Sequence, residues 1–266
     1  MATKYPIILA HGVMLKDVKF FRAFGNIERL LRDHDYAVYT APTDGFGSIE
    51  GNAAQLRDFI RDIMAVEGVS KVNIIAHSKG GLDSRYMIDH LDMRDHVASL
   101  TFLSTPHKGS KLATNLYRLP RVIKYPLACY LHAAYRLFGD QKPEVLTVCK
   151  QLQYAPDGAL ETLHLTLPDA TYENIFMQSY SSTMNKSTDD FVMGIPLAFS
   201  RYFEKGAPTD GMVSTESSQY ATYRGDCLDG SVSHSEIVDF MVKKSKQEKI
   251  YAFYLELCED LAKRGY

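Results

Sequence analysis

Short, continuous apolar runs alternate along this chain with segments whose apolar positions recur every three or four residues. Pro6 to Ala10 is an apolar run that stops at His11-Gly12. Tyr36 to Ala41 is rich in β-formers and stops at Pro42. Val72 to Ala76 stops before His77-Ser78, and Val97 to Leu103 stops at Ser104. Tyr172 to Tyr180 reads as a further strand. Between these runs, Phe21 to Leu31 places Phe21, Phe24, Ile27, Leu30 and Leu31 on one helical face. Ile49 to Met64 does the same with Leu56, Phe59, Ile60 and Ile63 behind a Ser48 cap, and Leu82 to Leu91 is a third helix. Unbroken apolar strands separated by amphipathic helices predict an α/β fold, a mostly parallel sheet with helices on both faces. Sites in such sheets form at the carboxyl ends of the strands, where His11, Ser78 and Ser104 stand.

The segment Val72-Asn73-Ile74-Ile75-Ala76-His77-Ser78-Lys79-Gly80-Gly81-Leu82 is the most specific of these patterns. A buried strand gives way to a serine flanked by small residues, and a helix follows. This is the pattern of a nucleophile elbow, A-x-S-x-G, which leaves a serine hydroxyl above the sheet on a tight turn. The competing reading of Ser78 is a helix N-cap.

Residues 111–153 break the alternation. Leu127, Tyr130, Leu131, Ala134, Tyr135 and Phe138 mark an amphipathic helix, and Pro143 opens a shorter one carrying Val145, Leu146, Cys149 and Leu152. Following the strand that ends at Leu103, this insertion reads as a helical cap over the sheet. It is either a moving lid or a fixed cover. Without a linker or repeat, residues 1–266 read as one domain that includes the insertion.

Composition narrows the partners. Hydrophobic residues make up 45% of the chain, enough for a large core, and the formal net charge of −2 argues against a nucleic-acid partner. No run of about 18 apolar residues suggests a transmembrane segment. Met1 to Pro6 leads directly into a strand with no signal-peptide pattern, so the chain is expected to be cytoplasmic, or secreted with its leader removed. Cys129, Cys149, Cys227 and Cys258 lack metal-ligand spacing and read as free thiols; a Cys129–Cys149 disulfide is the alternative.

A serine nucleophile needs a base, an acid that orients the base, and donors for the oxyanion. On a sheet of this kind the order along the chain is Ser, acid, His. His234, in the small polar loop Gly230 to Glu236, is the candidate base. Asp210, in Thr209-Asp210-Gly211-Met212-Val213-Ser214, is the candidate acid, with Asp226, Asp229 and Glu236 as rivals. His77 adjoins the nucleophile and is expected to point elsewhere. The backbone N–H groups of Lys79 and Val13 are the candidate oxyanion donors. The Lys79 side chain is expected to pair with a carboxylate such as Asp44 or to face water.

Four stretches, Tyr5 to Gly12, Val72 to Tyr86, Ser104 to Ser110, and Thr209 to Ser214 with His234 downstream, together resemble the bacterial triacylglycerol lipases of the α/β-hydrolase superfamily, in particular the Pseudomonas and Burkholderia type. The likeness runs from residue 5 to about 240 and is weak over residues 111–205. It implies an α/β-hydrolase fold, a triad of Ser78, Asp210 and His234, an oxyanion hole at Val13 and Lys79, and a lid at 111–153 that touches a lipid surface transiently. The activity implied is carboxylic ester hydrolysis, with triacylglycerols as substrate. A short-chain esterase, or a non-catalytic acyl- or lipid-binding protein on the same fold, are the alternatives. No cofactor is required by this chemistry. The family's structural calcium would fall on Glu236, with Asp189 or Asp190 as the second ligand; a salt bridge at Glu236 is the competing expectation.

Overall fold

The computed structural model describes residues 2–13, 22–155, 160, 174–190, 192–194, 196–198, 202 and 206–266. Six strands form one parallel sheet: β1 (Ile7–Ala10), β2 (Val38–Thr40), β3 (Val72–His77), β4 (Val97–Leu103), β5 (Phe176–Ser181) and β6 (Thr222–Asp226), in the order β2-β1-β3-β4-β5-β6. Helices α1 (Ile27–Arg32), α2 (Ile49–Glu67) and α3 (Lys79–His90) connect the first four strands. Helices α4 (Lys111–Tyr117), α5 (Arg121–Leu137) and α6 (Val145–Gln151) form the insertion. Helix α7 (Thr215–Ser218) precedes β6, and α8 (Lys244–Lys263) lies near the carboxyl terminus.

The two-residue period of the strands divides the core. Ile7 and Leu9 of β1 face α1 and α8 and join Leu31, Ile250, Tyr254 and Leu257. Ile8 and Ala10 face the other way and join Leu56, Ile60, Met87 and Phe102, between the sheet and α2 and α3. Every residue of β3 and β4 is buried, which is why these strands read as unbroken apolar runs. Helix α2 starts at Ser48, whose hydroxyl accepts from the Gly51 amide, and ends at Gly68 in the left-handed region (φ 65°).

Several boundaries differ from the sequence expectations. Helix α1 begins only at Ile27, with Phe24 buried ahead of it, and residue 21 lies outside the described residues. Helix α3 begins directly at Lys79. Residues 172 and 173 of the expected Tyr172 to Tyr180 strand lie outside the described residues, and β5 runs from Phe176. After His234 the chain makes a single 3-10 turn, Glu236–Val238. Asp239 ends it in a left-handed conformation (φ 60°), its carboxylate accepting from the Asn26 amide, Gln247 and Tyr251. The long helix starts later, at Lys244.

The insertion is tied down at both ends. Ser110 pairs with Gln153. At the far end, Asp140 accepts from the amides of Gly45 and Phe46, each at 2.9 Å, while Asp44 accepts from those of Gln141 and Lys142, each at 2.8 Å. This reciprocal clamp fixes the loop after α5 to the loop after β2. Helix α5 itself buries only Ala128. Val122, Tyr130 and Leu137 are 82%, 70% and 88% exposed, so these apolar side chains face outward, while Ala128 and Leu131 turn inward and Tyr135 packs on Phe46. Replacing Asp140 by Ala strands two buried amide donors, and urea unfolding should show a loss of about 2–3 kcal/mol.

Candidate active site

The residues expected to act together meet at the carboxyl ends of the strands. Ser78 follows β3 with φ 55° and ψ −130°, a left-handed conformation unusual for a residue with a side chain. The turn holds because its amide donates to the Leu103 carbonyl (2.9 Å) and because Gly12 and Gly80, packed around it, lack a Cβ. A methyl group at Gly12 would lie 2.5 Å from Ser78 Cβ, and one at Gly80 would lie 2.4 Å from the Ala10 carbonyl oxygen. Ala76 fits where it stands, fully buried.

His234 Nε2 lies 2.8 Å from Ser78 Oγ, and His234 Nδ1 lies 2.7 Å from Asp210 Oδ2. A carboxylate only accepts, so Nδ1 carries the proton and Nε2 is left to accept from the serine hydroxyl. Asp210 is fully buried. Its other oxygen accepts from the amides of Met212 (3.0 Å) and Val213 (2.8 Å), and its carbonyl accepts from the His234 amide (3.0 Å). Asp210 and His234 are thereby fixed to each other through backbone as well as side chain. Of the rival acids, Asp226 accepts from Ser181, and Glu236 is engaged by Lys246.

His77 does not point away from the site. Its ring lies 4.5 Å from that of His234. Burial first, then the neighbouring His234, pushes its pKa well below the ordinary value, so this ring stays neutral. Sequence reasoning missed the contact. The strand's alternation hinted at it, because His77 falls on the opposite side of β3 from Ala76.

Lys79 corrects the expectation for its side chain. It neither reaches Asp44 nor faces water. Completely buried, its ammonium donates to both oxygens of Asp83 one helical turn on, at 2.8 and 2.9 Å. Burial raises the Asp83 carboxyl to about 6, against the pull of Lys79 and a hydrogen bond from Asn52. Asn52 also donates to the Asp44 carbonyl (2.7 Å), tying the elbow helix to the clamped loop.

His11, after β1, is buried between Thr43 and its own successor. Nδ1 lies 3.0 Å from the Gly12 carbonyl oxygen and Nε2 lies 3.3 Å from the Thr43 hydroxyl. With the Thr43 hydroxyl donating to Nε2, Nδ1 carries the proton and holds that carbonyl. The peptide is trans, so the N–H of Val13 points the opposite way.

The residues around Glu236 do not fit a calcium ion. Both Glu236 oxygens accept from Lys246 Nζ at 2.8 Å, and one also accepts from the Ser233 amide (3.0 Å). Asp190 accepts from the hydroxyls of Ser233 and Ser235 and from the Val192 amide. Asp189 accepts from Ser231. Calcium takes six to eight free oxygens, and these carboxylates are already committed to protein donors. Among the described residues, no cluster of three His, Cys, Asp or Glu side chains is placed to hold a metal. All four cysteines are free thiols, so no Cys129–Cys149 bridge forms.

A cavity of about 100 Å³ opens beside Ser78 and His234. Its walls are apolar, formed by Val13, Phe46, Leu112, Ala113, Leu116, Val148, Leu152, Met212 and Val213 with few polar groups among them. Helices α4 and α6 supply most of one side. A hydroxyl primed by a charge-stabilised imidazole, next to an apolar slot, can attack a carbonyl whose acyl group lies in that slot.

No family model matches the chain. It is 29% identical over 259 residues to triacylglycerol lipase 2 of Saccharomyces cerevisiae, covering 90% of this chain and 73% of that protein. It is 40% identical over 118 residues to a triacylglycerol lipase of Burkholderia plantarii, covering 42% of this chain and 32% of the relative. The bacterial match thus spans about a third of that relative's length. Among solved structures, Staphylococcus hyicus lipase superposes with a TM-score of 0.71 at 16% identity, covering 98% of this chain and 96% of that one. A metagenomic carboxyl esterase superposes with a TM-score of 0.69 at 13% identity, covering 97% and 76%. The chain has the α/β-hydrolase fold and is similar in sequence to triacylglycerol lipases of yeast and bacteria.

Proposed function

We propose that the chain hydrolyses carboxylic esters through Ser78, His234 and Asp210. The observation that carries this reading is the continuous hydrogen-bonded path from Ser78 Oγ through His234 to Asp210 at the mouth of an apolar cavity. As Ser78 Oγ bonds to the ester carbonyl carbon, its proton passes to His234 Nε2, and Asp210 stabilises the imidazolium that forms. The amides of Val13 and Lys79 receive the oxyanion; each such donor is worth about 3–4 kcal/mol. His11 supports this role for Val13 by fixing the Gly12–Val13 peptide. The neutral ring of His77 adds no like charge beside the imidazolium. When the tetrahedral species collapses, the proton moves from Nε2 to the departing alkoxide. Water then attacks the acyl-enzyme by the same route and regenerates Ser78.

In this reading residues 111–153 cap the site and meet lipid through α5. From Lys111 to Gly139 the insertion carries Lys111, Arg118, Arg121, Lys124 and Arg136 and no acidic residue. Helix α5 sets Val122, Ile123, Tyr130 and Leu137 outward beside them. Such a basic amphipathic surface suits the boundary of an anionic lipid layer, which favours esters presented at an interface. No described helix is long and apolar enough to cross a membrane.

At Glu236 the Lys246 ammonium, rather than a calcium ion, supplies the positive charge beside the His234 loop.

Ser78→Ala should lower ester turnover on the order of a million-fold. Assayed with soluble and emulsified esters, the unaltered protein should be faster on the emulsion. Near-normal turnover by the variant would contradict the assignment. Chelator or added calcium should leave initial rates unchanged. Lys246→Met should cost roughly 1–3 kcal/mol of stability in urea and lower kcat more than it changes KM. Loss of activity in chelator, restored by calcium, would overturn the tethered-cation reading.

A further inference from the structure

The cavity at Ser78 stops at a wall with a second cavity behind it. The second, about 80 Å³, lies under α5 and is lined by Leu127, Ala128, Leu131 and Val145 among others. Phe46, Leu116 and Cys149 line both spaces. Three observations make this wall rigid. The Phe46 amide is held by Asp140, its carbonyl accepts from the Glu144 amide (2.6 Å), and its ring packs edge-on against Tyr135, with centroids 4.5 Å apart. Cys149 sits on α6, and Gln151 two residues on is pinned to the start of α2, accepting from the Ile49 amide (3.0 Å) and donating to Glu50. Leu116 lies on α4, which packs along α6.

We propose that Phe46, Leu116 and Cys149 form a partition that sets the acyl-chain length this protein accepts, restricting it to short acids. The proposal rests on the ester-hydrolase reading and deepens it. An apolar cavity of about 150 Å³ holds a six-carbon benzene, roughly 25 Å³ per carbon. The 100 Å³ space at Ser78 therefore takes about four acyl carbons by the same measure. A longer chain meets the partition and has to leave its tail in water, forgoing about 0.8 kcal/mol for each methylene not buried. Joining the two spaces would accommodate about seven carbons. The partition is adjustable because its two smaller members are single side chains on different helices. The Cys149 thiol serves as an uncharged apolar group, since burial raises its pKa.

The test is kcat/KM on p-nitrophenyl acetate, butyrate, octanoate and laurate, with each enzyme's profile normalised to itself. The unaltered protein should peak at butyrate. The double variant Leu116→Ala/Cys149→Ala should raise the octanoate-to-butyrate ratio on the order of ten-fold. Cys149→Phe, which thickens the wall, should move the peak toward acetate. Circular dichroism checks that each variant is folded. An unaltered protein at least as fast on octanoate as on butyrate overturns the partition without need of a variant. So does an unchanged ratio in folded variants, and in both cases ester hydrolysis itself stands. Hydrolysis of no ester by the folded, unaltered protein overturns both readings.

Discussion

Ser78 holds a backbone conformation that costs an L-residue on the order of 1–3 kcal/mol, and the surrounding structure exists in the form that makes it affordable. Its φ of 55° lifts the hydroxyl clear of the sheet, toward the imidazole. The conformation persists because β3 is central and buried throughout, because the Ser78 amide still finds the Leu103 carbonyl, and because Gly12 and Gly80 leave room where a methyl group would collide with backbone. The helix that starts at Lys79 directs its free amides to the space above the serine. Strand, turn and helix thus present one oxygen in one place, and every other part of the site is positioned against it.

Charge in and near the site is balanced internally. The Lys79–Asp83 pair is fully buried one turn into the elbow helix, where an unpaired ammonium would be costly. Glu236, two residues after His234, is neutralised by Lys246 from α8. Asp210 takes two backbone amides besides the imidazole. Asp189, Asp190, Asp210 and Glu236 each accept from donors of the chain itself, so the loop is held by covalently attached groups.

Much of this was legible in the sequence because it rests on short-range patterns. Continuous apolar runs marked β1, β3 and β4, since a parallel sheet covered on both sides buries every residue of its central strands. The order Ser78, Asp210, His234 followed from the chain order that accompanies a nucleophile elbow. What stayed hidden has physical reasons. Strand β6 lies at the sheet edge and is mostly exposed, so it has no apolar alternation to read. For Lys79 the sequence left a carboxylate such as Asp44 or solvent open, although Asp83 stands at the helical spacing of four; the possibility that a lysine is wholly buried is not visible in a polar stretch. The contacts of His77 with His234 and of His11 with Thr43 depend on loops meeting across the sheet, and no local pattern encodes that.

The insertion combines fixed ends with an unburied face. Its loops are clamped by Asp44 and Asp140 at one end and by the Ser110–Gln153 pairing at the other, while α5 keeps Val122, Tyr130 and Leu137 in solvent. Such a cover shapes the acyl cavity from below and offers a greasy surface above. The chemistry beneath it depends on one hydroxyl being far more reactive than the other serines of the chain. Treating the folded protein with a fluorophosphonate and mapping the adduct by peptide mass spectrometry reads that reactivity directly. A single adduct on Ser78, absent after unfolding, is expected; an adduct on another serine, or none on the folded protein, contradicts the assignment.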